Sequence, residues 1–95
     1  MESLLSRRFA INLVVLRGRA DLSQEGISNR AGLHTTEISL LERGLRLPRL
    51  DTIVKLAGAL DVEPCTLFAG MRWRPAESKE LPGAYASHLE TSEPA

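Results

Sequence analysis

The tightest constraint in this sequence is a glycine. Gly32, at the centre of Ala31-Gly32-Leu33, separates two short helical patterns within Leu22 to Gly44, LSQEGISNRAGLHTTEISLLERG. Glycine reaches positive φ without steric penalty, so the chain can leave one helix there and reverse into the next. Ser23 suits the N-cap of the first helix, because its hydroxyl can accept a hydrogen bond from an amide two or three residues on. Ile27 and Ala31 then share one face, and Leu33 can wedge into the elbow. In the second helix Ile38 and Leu41 have the i, i+3 spacing of a buried stripe, which turns Thr35, Thr36, Ser39 and Leu40 outward. The turn by itself would equally suit any antiparallel helix pair.

The order of the short motifs narrows that choice. Leu22-Ser23-Gln24-Glu25, Ala31-Gly32-Leu33 and Ile38-Ser39-Leu40-Leu41-Glu42-Arg43-Gly44 resemble, in content and sequence, the helix-turn-helix of Cro/cI-type regulators, the xenobiotic-response-element family. At Gly32-Leu33-His34 the chain is also similar to restriction-modification controller proteins. The likeness continues through Arg46-Leu47-Pro48 and Asp51 to Leu67, and so covers residues 5–70. It implies an all-α, five-helix, lambda-repressor-like DNA-binding domain with an irregular C-terminal tail, the helix-turn-helix lying at 23–43. The function implied is a transcriptional repressor or autoregulator that binds double-stranded DNA as a homodimer and reads a pseudo-palindromic operator through the major groove.

The resemblance also assigns residues. Thr35, Thr36, Ser39 and Leu40 match the family's base readers. Their hydroxyls can pair with several base edges, and the Thr methyls and Leu can touch a thymine methyl, but none offers a bidentate grip. Ser23 and Gln24 at the start of the first motif helix, His34 before the second, and Arg43, Arg46 and Arg49 after it fall on the phosphate side. Arg17 and Glu42 match an ion pair tying the first helix of the domain to the third. Two positions depart from the family. Gly26 replaces a residue that would complete a capping box, and His34 stands where Ser, Thr or Asp is usual; His34 reads either as a pH-sensitive DNA contact or as a poor cap without a role.

The flanking segments read as follows. Ser3 can cap a first helix to Arg19 with Leu5, Phe9, Leu13 and Leu16 on its inner side, while Ile11, Val14, Val15 and Gly18 form a second apolar stripe suited to another subunit or to the chain's own tail. Leu50, Ile53, Val54, Leu56, Ala57 and Leu60 predict a central, buried fourth helix with Asp61 at its C-cap. Glu63-Pro64 predicts a fifth helix ending at Gly70. Residues 1–70 then form the domain. Residues 71–95 contain three Pro and little periodicity, which predicts a mostly irregular tail in which Trp73 and Tyr85 are either anchors or idle.

Composition sets limits on function. With 95 residues there is room for one small domain. Formal net charge is zero, yet residues 1–74 carry eleven Lys/Arg against eight Asp/Glu, a balance of +3, and residues 75–95 one Lys against four Glu, a balance of −3. Phosphate binding needs local clustering of positive charge more than a high overall charge. The single Cys65, read as a core or near-core residue, cannot form an internal disulfide and fits the cytoplasm. No apolar run is long enough for a membrane span. His88 has no neighbouring ligands, so no metal or cofactor is expected, and no activated nucleophile or acid/base pair points to an enzyme. The competing reading is an antitoxin-like or adaptor protein whose main ligand is another polypeptide, docked on the tail or on the helix-1 stripe.

Overall fold

The computed structural model describes residues 3–86; residues 87–95 of the expected tail, His88 included, lie outside the described residues. Four α-helices carry the fold: α1 (Leu4–Arg19), α2 (Gln24–Ala31), α3 (Thr35–Glu42) and α4 (Leu50–Leu60). Ser3 opens α1 by reciprocal capping, its Oγ accepting from the Ser6 amide at 3.1 Å while the Ser3 amide donates to Ser6 Oγ at 2.8 Å. Two amides that an α-helix leaves unpaired at its start are satisfied in this way. The inner side of α1 places Phe9, Leu13 and Leu16 against Ile27, Ile38, Leu41, Leu56 and Leu67 in one core. Its lack of large aromatic residues beyond Phe9 makes close helix approach the main source of packing.

Between α2 and α3 the chain reverses at Gly32, with φ of 70°. The Gly32 and Leu33 amides both donate to the Ser28 carbonyl, which closes the end of α2. Leu33 packs against the core from its edge. Three polar side chains brace the helices by donating to distant carbonyls. Asn12 Nδ2 reaches Leu67 O and Ala69 O, each at 2.9 Å; Arg8 Nε reaches Ala69 O at 3.0 Å; and Arg30 Nε reaches Ala59 O at 2.8 Å near the end of α4. No helix among the described residues is long and apolar enough to cross a membrane.

The structure departs from the all-α, five-helix expectation in two places. Pro64–Phe68 is a 3-10 helix rather than a fifth α-helix. The segment has five residues, Glu63 supplies no side-chain cap, and Gly70 turns the chain at φ of 83°, so there is no length over which α-type hydrogen bonds could propagate. The tail, moreover, is not irregular throughout. β1 (Arg72–Arg74) pairs antiparallel with β2 (Ala84–Ala86), in the register Arg72 with Ala86, Trp73 with Tyr85 and Arg74 with Ala84. The Trp73 and Tyr85 rings meet edge-to-face, with centroids 4.9 Å apart and planes at 73°, an arrangement favoured by the ring quadrupoles. The bare backbone of Gly83 admits the indole, since a Cβ at that position would lie 2.4 Å from Trp73 Cζ2.

Three smaller expectations also change. α4 is not buried all round. Ile53, Leu56, Ala57 and Leu60 face the core, but Leu50 is 75% and Val54 54% exposed, because six apolar positions exceed what one side of a helix can turn inward. Cys65 is exposed on the 3-10 helix rather than set in the core. The Ile11, Val14, Val15 and Gly18 stripe of α1 is exposed, uncovered by the described part of the tail, whose Trp73 and Tyr85 turn onto each other instead.

Candidate nucleic-acid interface

The first turn of α3 is exposed while the rest of the helix is anchored by buried residues that follow it. Ile38 and Leu41 are wholly inside, and Gly44 is buried against α1, where a Cβ would approach the Arg7 backbone at 3.5 Å. That orientation leaves Thr35 and Thr36 exposed at the helix start, with Ser39 and Leu40 half-buried. His34 sits at the N-cap without a side-chain capping bond, so the first amides of α3 keep no side-chain partner from it. Unpaired amides and the positive end of the helix dipole favour an anion at this point.

The N-terminus of α2 meets α3 at its other end, at Glu42. Ser23 Oγ accepts from the Gly26 amide at 2.9 Å, which caps the helix and leaves the hydroxyl proton for another acceptor. At Gly26 a Cβ would lie 3.3 Å from that same Ser23 Oγ, so the missing side chain gives the cap room. Gln24 is drawn into a cluster around Glu42. One Glu42 oxygen accepts from Gln24 Nε2 and Arg17 Nη2, both at 2.9 Å, and the other from Arg17 Nε at 2.5 Å. Arg17 Nη1 also reaches Leu22 O at 2.9 Å. The Glu42 side chain is only 6% exposed and that of Arg17 21%. Donating hydrogen bonds to Glu42 raises the Arg17 pKa above the usual arginine value; partial burial opposes this and the charge of Glu42 adds to it. Arg17 and Glu42 thus tie α1, the α1–α2 connection and α3 together, and they fix the rotamer of Gln24 with one amide hydrogen still available.

The three arginines after α3 are not equivalent. Arg46 forms an ion pair with Glu37 of α3, at the wall of an open cleft of about 520 Å³ that Leu33, His34 and Lys55 also line. Arg49 lies 3.4 Å from Asp51 with both side chains well exposed, a weak contact in water. Arg43 is exposed and makes no side-chain hydrogen bond or ion pair among the described residues. The polar groups exposed on these elements are the hydroxyls and first amides of α3, the capped start of α2 and the arginines that follow α3. Sequence reasoning missed the Glu37–Arg46 pairing. It also missed the bracing by Arg8, Asn12 and Arg30, whose acceptors are backbone carbonyls far away in the chain and leave no residue-type signal.

The fold that carries these residues is shared with known proteins. A family profile described as helix-turn-helix matches residues 15–67, more than half of the chain. The chain belongs to the helix-turn-helix family. Control protein C.BamHI of Bacillus amyloliquefaciens is 44% identical over 50 residues, a match that spans 53% of this chain and 62% of that protein. Among solved structures, the restriction-modification controller protein C.AhdI from Aeromonas hydrophila superposes with a TM-score of 0.65 at 41% identity, covering 66% of this chain and 96% of C.AhdI. The hypothetical transcription factor NHTF from Neisseria superposes with a TM-score of 0.63 at 33% identity, covering 66% of this chain and 72% of that one. These relatives are named as a control protein, a controller protein and a hypothetical transcription factor, none of them as an enzyme. The profile match ends before β1, so the β1–β2 ribbon follows the shared domain.

Proposed function

We propose that this protein is a sequence-specific DNA-binding transcription regulator that acts in the cytoplasm as a homodimer and represses or autoregulates genes of the restriction-modification type. The observation that carries the reading is the exposed start of α3, where Thr35 and Thr36 face outward on a helix anchored by the buried Ile38 and Leu41. Thr35, Thr36, Ser39 and Leu40 read base edges in the major groove; Ser23, Gln24, His34, Arg43, Arg46 and Arg49 hold phosphates. Weak base grips in one subunit call for a second, and two α3 helices about 34–36 Å apart would read a pseudo-palindrome. Exposed Ile11, Val14 and Val15 on α1 offer an apolar face for that second copy, and Leu50 and Val54 offer another on α4. The link to restriction-modification genes rests on kinship with C.BamHI and C.AhdI.

Comparison of Arg43→Gln with Thr36→Ala tests the division of labour. Loss of a phosphate contact weakens binding to every duplex and lowers the slope of log affinity against log salt by about 0.9, whereas loss of a base contact relaxes preference at one position of each half-site. If both variants bind DNA as the parent does, the assigned surface is wrong.

A further inference from the structure

An open groove of about 310 Å³ lies between α1 and the 3-10 helix, lined by Ile11, Asn12, Val15 and Thr66 and, toward the two ends of α1, by Arg8 and Arg19. We infer that this groove is the docking site of the chain's own acidic segment, residues 87–95, which follows Ala86 directly. The inference stands apart from the DNA-binding reading and does not depend on it.

The chemistry of the groove selects an acidic polypeptide. Ile11 and Val15 are exposed, and covering them takes apolar surface out of water. Arg8 donates Nε to Ala69 O, and its two terminal nitrogens have no partner among the described residues. Arg19 is exposed and makes no side-chain hydrogen bond or ion pair among the described residues. Asn12 is 6% exposed, and both hydrogens of its side-chain amide are engaged, by Leu67 O and Ala69 O. Its Oδ1 accepts no hydrogen bond among the described residues and is not sealed from the surface, so it opens onto the groove it lines. That oxygen can only accept. A backbone amide supplies the N–H it needs, whereas a nucleic-acid phosphate has none to give. The two arginines call for carboxylates in the same ligand.

Connectivity picks the occupant. Arg8 also lines a smaller pocket where Ala86 is buried beside Leu4 and Leu5. Ala86 therefore lies at the Arg8 end of the groove. The sequence that follows it is Ser-His-Leu-Glu-Thr-Ser-Glu-Pro-Ala, which has Glu90 and Glu93, no Lys or Arg, and one large apolar side chain, Leu89. At about 3.3 Å per extended residue, three residues reach about 10 Å, the rise of α1 from Arg8 to Val15, and five reach about 16 Å, the rise to Arg19. Leu89 is thus within reach of Ile11 and Val15, and the glutamates are within reach of Arg19. A short tether gives the segment an effective concentration in the millimolar range, so a shallow groove suffices to hold it.

The single cysteine provides the probe. Cys65 is exposed and adjoins Thr66 without lining the groove itself. A nitroxide on Cys65 of the full, isotope-labelled chain weakens the backbone amide signals of residues near the groove, read against the same sample after reduction of the label. In the parent, the Leu89 and Glu90 amides lose at least about half of their intensity, as a tethered contact occupied most of the time requires. Leu89→Asp and Arg19→Glu each abolish most of this loss, and combining Arg19→Glu with Glu90→Arg and Glu93→Arg brings it back. Circular dichroism checks that the helical signal is the same in every variant. A mixture of spin-labelled chains without isotope and isotope-labelled chains without the nitroxide shows no loss, which places the contact within one chain. Full intensity in the parent overturns the inference, as does an equal loss in the parent and Leu89→Asp. Loss in the mixture overturns it too, and makes a second copy the partner of the segment.

Discussion

Replacing Glu42 by Ala should be among the most damaging single changes that leave the apolar core untouched. The carboxylate is 6% exposed and accepts three hydrogen bonds, two from Arg17 and one from Gln24. Breaking a buried ion pair from one side costs about 3–5 kcal/mol, because the remaining charge loses its partner without regaining water. Arg17 is 21% exposed and keeps its bond to Leu22 O, so some rehydration is open to it and the loss falls to about 2–3 kcal/mol. For a domain of this size that corresponds to a Tm lower by on the order of 10–20 °C. Glu42→Gln, which keeps one carbonyl acceptor, should cost about half as much. Urea denaturation followed by circular dichroism measures both, and a cycle with Arg17→Met isolates the coupling, expected at more than about 1 kcal/mol. Arg17 is a base with a raised pKa, so its contribution is complete below the unfolded value and is lost only as pH climbs through the folded one. On its account the coupling stays constant through neutral and mildly alkaline pH. A Glu42→Ala protein within about 0.5 kcal/mol of the parent, the range of an ordinary surface change, would refute the bracing role.

Other elements give separate checks. His34→Ser should stabilise the fold by about 1 kcal/mol, because the N-cap of α3 now lacks a side-chain bond; the same variant's DNA affinity, compared with the parent's, shows whether the imidazole touches DNA. Asn12→Leu removes the donor to Leu67 O and Ala69 O and should cost about 1–3 kcal/mol in chemical denaturation, since Leu67 O loses this partner while Ala69 O keeps Arg8 Nε. Val14→Lys should raise the dimer dissociation constant at least tenfold by sedimentation if the α1 stripe is the subunit contact; an unchanged constant, with Val54→Lys giving monomers, would move the contact to α4. Gly83→Ala should displace the indole from its seat and shift Trp73 fluorescence toward that of a hydrated ring, with the helical signal unaffected.

The helical part was readable because several local signals agree. Ser3 and Ser23 cap where a hydroxyl is needed, Gly32 turns where φ must be positive, and the apolar spacing of α1 through α3 selects Phe9, Leu13, Ile27, Ile38 and Leu41 for the core. Helix α4 resisted because periodicity counts apolar residues without saying which find a partner, and Leu50 and Val54 find none among the described residues. The ribbon was hidden for a different reason. Strands of three residues carry too little alternation to detect, and what joins them is a contact between Trp73 and Tyr85 across a segment rich in Pro and charge. At the interface, the exposure of Thr35 and Thr36 followed from the stripe opposite them. The engagement of Arg46 by Glu37 and of Gln24 by Glu42 depends on tertiary proximity, which residue types alone do not encode.

The central claim is that the α3 surface reads DNA sequence in a symmetric pair. Selection from random duplex DNA by the purified protein, followed by the salt dependence of binding to the recovered sequence, tests it most directly. The account predicts a motif with two-fold symmetry, half-sites about 10 base pairs apart, and an affinity that falls steeply with salt, by about 0.9 in log–log slope for each phosphate held. Folded protein that recovers no motif, or an asymmetric one bound by a monomer, would contradict it.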